Sequence, residues 1–287
     1  MKRVLSLSVL CLCLGAASIV QAQQAMMRPP KVLVISREVL KTGKAGVHEK
    51  WEAGWPRAFA KAKSSVRYIA ASSVTGEGRV LFLTAYDSFA AWEKENQEIG
   101  KNAALTAELE TLAAKDGDYL QENRTAAFTY MPELSYNADT IPIAGTRYFF
   151  IFSIHVKPGH GDHFNAVRKI AREAHEKAKL DEHYAVFHAV AGAPTNLYLI
   201  FIPMKSMAEM DAAPAMHGKA YDDALGEEGQ KKMDDFAAQG LESAEGQLFM
   251  FSPTMSYPAQ PWIDADPDFW KPAPMAKPAA KKAPAAQ

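Results

Sequence analysis

RYFFIFSIHVKPG, residues 147–159, is a run of apolar and aromatic residues that ends in Lys157-Pro158-Gly159 and leads straight into a helix-like segment. Such a run suits a strand, and the Pro-Gly pair stops it. The chain does the same once before: KVLVISREVLKTG, residues 31–43, reads as a strand closed by Lys41-Thr42-Gly43. Around these two strands the rest of the sequence falls into two similar halves. In the first, residues 44–63 read as a helix with Val47, Trp51, Trp55 and Phe59 on one stripe, weakened at Gly54 and Pro56. Residues 66–74 and 80–86 form a hairpin about Thr75-Gly76-Glu77-Gly78, Asp87 or Ser88 caps a second helix, and residues 121–131 make a fourth strand. The second half repeats this: strand 148–156, helix 160–179, hairpin strands 184–190 and 196–202, a helical stretch 206–239 broken near Pro214, and a strand at 247–252.

The internal match is specific. Gly43 and Gly159, Tyr68 and Tyr184, and Gly76 and Gly192 share one offset of 116 residues. The copies also end alike, in Phe128-x3-Pro132-x2-Ser135-Tyr136 and Phe249-x3-Pro253-x2-Ser256-Tyr257. Duplication is the natural account. Each copy reads βαββαβ, the split ferredoxin-like unit, which leaves one sheet face bare. The expected fold class is therefore α+β, two tandem ferredoxin-like units packed sheet to sheet as an intrachain barrel. The boundaries are 31–132 for the first unit, 133–145 for a linker, 146–257 for the second, and a Pro/Ala/Lys-rich tail over 258–287, largely disordered. Within that tail, Trp262, Phe269 and Trp270 have the means to pack back onto the domains.

Composition bounds the function classes. The 287 residues are 48% hydrophobic and 23% charged with a net charge of -1, so no strong field calls for nucleic acid or an anionic membrane. Residues 1–22 read as a secretory signal: Lys2 and Arg3, an apolar run, then Ala22 before Gln23. Cleavage there removes Cys11 and Cys13, leaving no disulfide, thiolate ligand or Cys nucleophile. The expected address is periplasmic or secreted, with no membrane span after cleavage. A homodimer is the candidate assembly.

With the strand ending in Lys157-Pro158-Gly159 before a helix, and Tyr86-Asp87-Ser88-Phe89 opening a helix after the hairpin, the chain resembles the dimeric α/β-barrel superfamily. That superfamily includes antibiotic-biosynthesis monooxygenase-like and NIPSNAP-like domains, and here one chain would supply both halves. The resemblance implies a fold more than an activity, since it spans cofactor-free oxygenases, haem-handling enzymes and simple ligand binders. It supplies no catalytic motif for this sequence.

Candidate site residues follow from strand alternation. Arg37, Ser153 and His155 fall on the enclosed side of their strands, where Arg37 and His155 suit an anionic or carbonyl ligand unless a neighbouring carboxylate takes them. His188 lies mid-strand as pocket lining or general base. His48, with Glu49 and Glu52, sits beside the first helix stripe, facing a groove or, as the plainer reading has it, solvent. Tyr86 completes the ligand set. His160, Asp162 and His163, with His175, suggest a metal cluster but lack converging ligands, and Asp162 serves a helix start equally well. The sequence thus predicts no metal, no cofactor, and a small apolar or aromatic ligand held between the sheets, with an oxygenase or haem-handling enzyme as the alternative.

Overall fold

The computed structural model describes residues 28–141, 145–211 and 218–271; the expected signal at 1–22 and the tail beyond 271 lie outside them. Eight antiparallel strands close into one barrel. They are β1 (Val32–Leu40), β2 (Tyr68–Ser73), β3 (Arg79–Tyr86), β4 (Leu120–Tyr130), β5 (Tyr148–Val156), β6 (Ala185–Ala191), β7 (Leu197–Met204) and β8 (Leu241–Phe251). Around the barrel they run β1-β3-β2-β8-β5-β7-β6-β4. Each half therefore keeps the order fourth, first, third, second. The last strand, β8, begins at Leu241 rather than 247 because its polar first half pairs with β5 all the same.

The halves do not stack face to face as expected. They join edge to edge, through β2 with β8 and β4 with β6. This removes every free strand edge and needs no second layer. The two seams are reciprocal. Tyr68 exchanges backbone hydrogen bonds with Tyr257 at 3.0 Å each way, and Tyr184 does so with Tyr136 at 3.0 and 3.1 Å. Ser256 Oγ accepts the Ala70 N–H and Ser135 Oγ accepts the Val186 N–H, both at 2.9 Å. The repeated Pro-x2-Ser-Tyr endings thus clasp the hairpin of the opposite half. The glycine pairs agree as well: Gly43 and Gly159 (φ 77° and 84°), and Gly76 and Gly192 (both 74°), hold left-handed turns that a side chain would strain.

Inside the barrel, one face of every strand supplies a filled apolar core that includes Leu33, Ile69, Leu83, Phe128, Phe187 and Phe249. Helices Gln260–Ala265 and Pro267–Trp270 close one end, with Trp270 only 3% exposed in that core. Arg147 stacks on Phe269 at 3.9 Å and pairs with Asp266, fastening the closure. This part of the expected tail is ordered structure. The expected linker is also packed: Leu134, Tyr136, Ala138 and Ile141 are buried.

Helices cover the outer face. The predicted helix over 44–63 is two, α1 (Ala45–Glu52) and α2 (Gly54–Lys61), and the next is α3 (Phe89–Lys101) and α4 (Ala103–Asp116). Ser88 Oγ caps α3 through the Ala91 N–H at 3.1 Å. Asn102 makes the break between them, capping α4 through the Leu105 N–H. In the second half, α5 (Gly161–Ala178) and α6 (Lys219–Gln239) do the covering.

Candidate functional site

The sequence-predicted residues do not form one site. Arg37 shares the interior face of β1 with Leu33 and Ile35, at the barrel end away from Trp270, and pairs there with Glu122. Beside it Arg79 donates to Gln247 Oε1 at 2.9 Å and lies 3.7 Å from Glu245. Ser153 and His155 are half-buried on the same interior face. Polar side chains, Arg37 and Arg79 each paired with a carboxylate, therefore stand at one end of the space expected to be a ligand chamber, and apolar side chains occupy the rest. His188 is on the other face: it stacks on Tyr198 at 4.4 Å and its Nε2 donates to the Thr195 carbonyl at 2.7 Å. Tyr86 is also outside, donating to Glu95 at 2.5 Å and stacked on Trp92. His160 and His163 stand 6.0 Å apart, ring to ring, on a helix start.

His48 is the exception, and the expectation of a solvated helix face is wrong for it. Because α1 ends at Glu52, the stripe that turns inward carries His48 and Glu52, while Val47 and Trp51 are only half-buried. Opposite them, the outward face of β1 brings Glu38, and the last residue of α4 brings Asp116. The four are 1–7% exposed, and donor atoms, one from each, lie within 4.8 Å of one another. Glu52 is named beside His48 on the same helix from the sequence, whereas Glu38 and Asp116 escape simple sequence reading because each belongs to another element.

Their geometry is ordered. His48 Nδ1 donates to Asp116 at 2.9 and 3.0 Å to its two oxygens. Asn123 Nδ2 donates to Glu38 Oε1 at 2.9 Å. The remaining atoms, His48 Nε2 and Glu38 Oε2, are 3.6 Å apart, buried, and without a hydrogen-bond partner. Two further buried donors without an acceptor, Trp55 Nε1 and Tyr68 OH, lie near Glu52. Burial raises the Glu38 carboxyl to about 7, with His48 opposing and Asp116 adding to the rise. Burial likewise raises Glu52 to about 9, helped by Glu38 and Asp116; the Trp55 indole, near enough to oppose the rise, stands outside hydrogen-bond geometry. No lysine or arginine is among the groups acting on either carboxyl.

The second half supplies a control. Glu38 faces Val80 and Asn123 across its strand pairs; Ile154 faces Tyr198 and Ala244 in the same register, with the same bulge two residues on. His48 corresponds to Phe164, the fourth residue of its helix in each copy. In the second half Ile154, Phe164 and Phe236 fill this space as apolar core, the Phe164 ring tilted against Tyr198 at 4.2 Å. One fold position thus holds an oily core in one half and three carboxyls with an imidazole in the other. An open hollow of about 610 Å³ near Tyr136, Arg172 and Lys179 offers no comparable group of buried unpartnered atoms.

No family model matches the chain, and no curated protein matches it. Solved structures do. An anthrone oxidase-like protein aligns at TM-score 0.51 and 12% identity, covering 79% of this chain and 93% of its own. A monooxygenase-type protein from Fusobacterium nucleatum subsp. nucleatum ATCC 25586 aligns at 0.50 and 12%, covering 77% and 91%. A mutant chlorite dismutase from Candidatus Nitrospira defluvii follows at 0.48 and 7%, covering 85% and 99%. At such identities the likeness is one of fold: this chain shares the α+β barrel architecture of the first two proteins.

Proposed function

We propose that this protein binds a small cation, and that the Glu38, His48, Glu52 and Asp116 cluster is its binding site. One observation carries the reading: three buried carboxyls and an imidazole converge with no lysine or arginine to balance them, where the other half of the fold is apolar. An uncompensated buried carboxylate costs several kcal/mol, whereas each apolar side chain in its place would contribute about 1.5–3 kcal/mol. A bound cation removes that cost. The small-ligand reading of the sequence is kept, with its place moved from the barrel interior to the space beneath α1 and its ligand changed from apolar to positive. The test is a melting screen of the full chain, stripped with chelator, against salts of mono- and divalent cations. A rise in Tm for at least one cation, abolished by chelator and by Glu38→Gln, supports the reading; no shift from any cation overturns it.

The two halves are, in this reading, tandem ferredoxin-like units of the dimeric α/β-barrel superfamily, NIPSNAP-like domains among its relatives, in an exported chain that forms a homodimer. N-terminal sequencing of the secreted form and light scattering test the last two points. A second reading, an oxygenase of the barrel type, is supported by the likeness of fold, and oxygen uptake with quinol substrates tests it. Its haem form would need a histidine free to serve as axial ligand, and haemin titration followed by the Soret band tests it. His188 is stacked and bonded on the outer face, and the interior beside His155 is taken up by side chains.

A further inference from the structure

We infer that the cation is a single divalent transition-metal ion, held by His48 Nε2, Glu38 Oε2 and a Glu52 carboxylate oxygen, with Asp116 and Asn123 holding the ligands from behind. This rests on the cation-binding reading above and narrows it to a metal class and a coordination set.

Size comes first. Two donors on opposite sides of an ion with bonds of ~2.0–2.3 Å are about 4–4.6 Å apart. The four groups offer atoms within 4.8 Å of one another, so one ion closes the set with small movements and an organic ammonium has no room. The choice of ligand atoms follows from what is already bonded. Asp116 occupies His48 Nδ1 and so leaves Nε2 facing the cluster, the carboxylate–histidine–metal arrangement in which the carboxylate fixes tautomer and ring orientation. Asn123 does the same service for Glu38, taking Oε1 and leaving Oε2 free. The two atoms left over are the two buried atoms without partners, and they face each other at 3.6 Å, too far to bond directly. His48 and Glu38 side chains are 1% and 9% exposed, so bulk water does not serve these atoms.

Donor chemistry selects the metal. Imidazole suits zinc, copper, iron or nickel and carboxylate also suits manganese, whereas calcium asks for six to eight oxygens and magnesium for near-octahedral oxygen. Three protein ligands leave at least one position for a further small ligand. Trp55 and Tyr68 place a buried N–H and O–H near Glu52 with nothing to receive them.

The test uses the full chain, stripped with chelator and dialysed. Cobalt, manganese, zinc and calcium are added separately, and bound metal is measured by mass spectrometry alongside the visible absorption of the cobalt form. The expected result is one transition-metal ion per chain, a cobalt band of low-symmetry coordination, and no retained calcium. Glu38→Gln and His48→Phe lose the ion; the latter copies the opposite half, so it keeps the fold by far-UV circular dichroism. Asp116→Asn keeps the stoichiometry but weakens binding about 10–100-fold, as loss of an outer partner does. Retention of calcium with no cobalt band overturns the inference and leaves the cation reading standing. Loss of the ion in Asp116→Asn as complete as in Glu38→Gln overturns the assigned ligand set. Absence of every ion from the wild-type chain overturns both.

Discussion

Raising the pH of the metal-free protein should destabilise it from within. The Glu38 carboxyl, pushed up from 4.5 to about 7, and that of Glu52, pushed up to about 9, hold protons more tightly in the folded chain than in the unfolded one. Between 4.5 and each raised value the folded state carries more protons, so stability falls as pH rises. The contribution is whole below about pH 4.5, is lost through pH 7 for Glu38, and continues to be lost to pH 9 for Glu52. At ~1.4 kcal/mol for each tenfold change in proton affinity, Glu38 alone accounts for about 3 kcal/mol. The two carboxyls repel each other, so their contributions do not sum, and a total on the order of 3–6 kcal/mol is expected. The assay is urea unfolding in EDTA at pH 5, 7 and 9, on wild type and on Glu38→Gln. The wild type should lose stability across the range, and Glu38→Gln should flatten the stretch from pH 5 to 7. A wild-type profile that is level, or that rises toward pH 9, refutes the claim that these carboxyls are buried together without a counter-charge.

Three other outcomes follow from the packing. Trp270→Ala should cost about 3–5 kcal/mol in urea unfolding, since it opens the closed end of the barrel core. Gly192→Ala should cost on the order of 1–3 kcal/mol or more, because φ is 74° and a Cβ there would stand 2.1 Å from the Thr125 carbonyl across a seam; the melting temperature reports it. Ser135→Ala and Ser256→Ala should each lose about 1–3 kcal/mol and by similar amounts, as each leaves one buried N–H of the opposite half unpaired.

Much of the fold was legible because it is written in local signals. Gly43, Gly76, Gly159 and Gly192 mark turns that need positive φ, and all four have it. Of the two cap candidates, Asp87 and Ser88, it is Ser88 that caps the helix. What local signals do not carry is the meeting of distant edges. The endings at Tyr136 and Tyr257 were visible as repeats, but that each crosses to the other half depends on closure of the whole barrel. The site failed to show for a related reason. The four-residue spacing of Val47, Trp51, Trp55 and Phe59 suggested an apolar stripe, yet the break after Glu52 turns His48 and Glu52 inward instead. A signal for it did exist. At the same offset that pairs the glycines, His48 stands against Phe164 and Glu38 against Ile154, polar where the copy is apolar. Asp116, at a helix end before Gly117, gave none.

That contrast also explains how a charged cluster is tolerated in the core of a folded chain. Closure depends on backbone pairing at the seams Tyr68–Tyr257 and Tyr136–Tyr184 and on the filled interior, and of these only the Tyr68 side chain approaches the cluster beneath α1. The apolar counterpart around Phe164 and Phe236 gives the second half a layer whose packing owes nothing to any ligand. The first half carries smaller apolar groups on either side of its polar cluster, around Phe59, Tyr68 and Leu105 and around Val32 and Val34. Charge placed between those groups weakens one layer locally and leaves the barrel closed. Two copies in one chain therefore divide the work: one keeps the oily packing that holds the fold, and the other is free to carry the buried acidic cluster proposed above as the cation site.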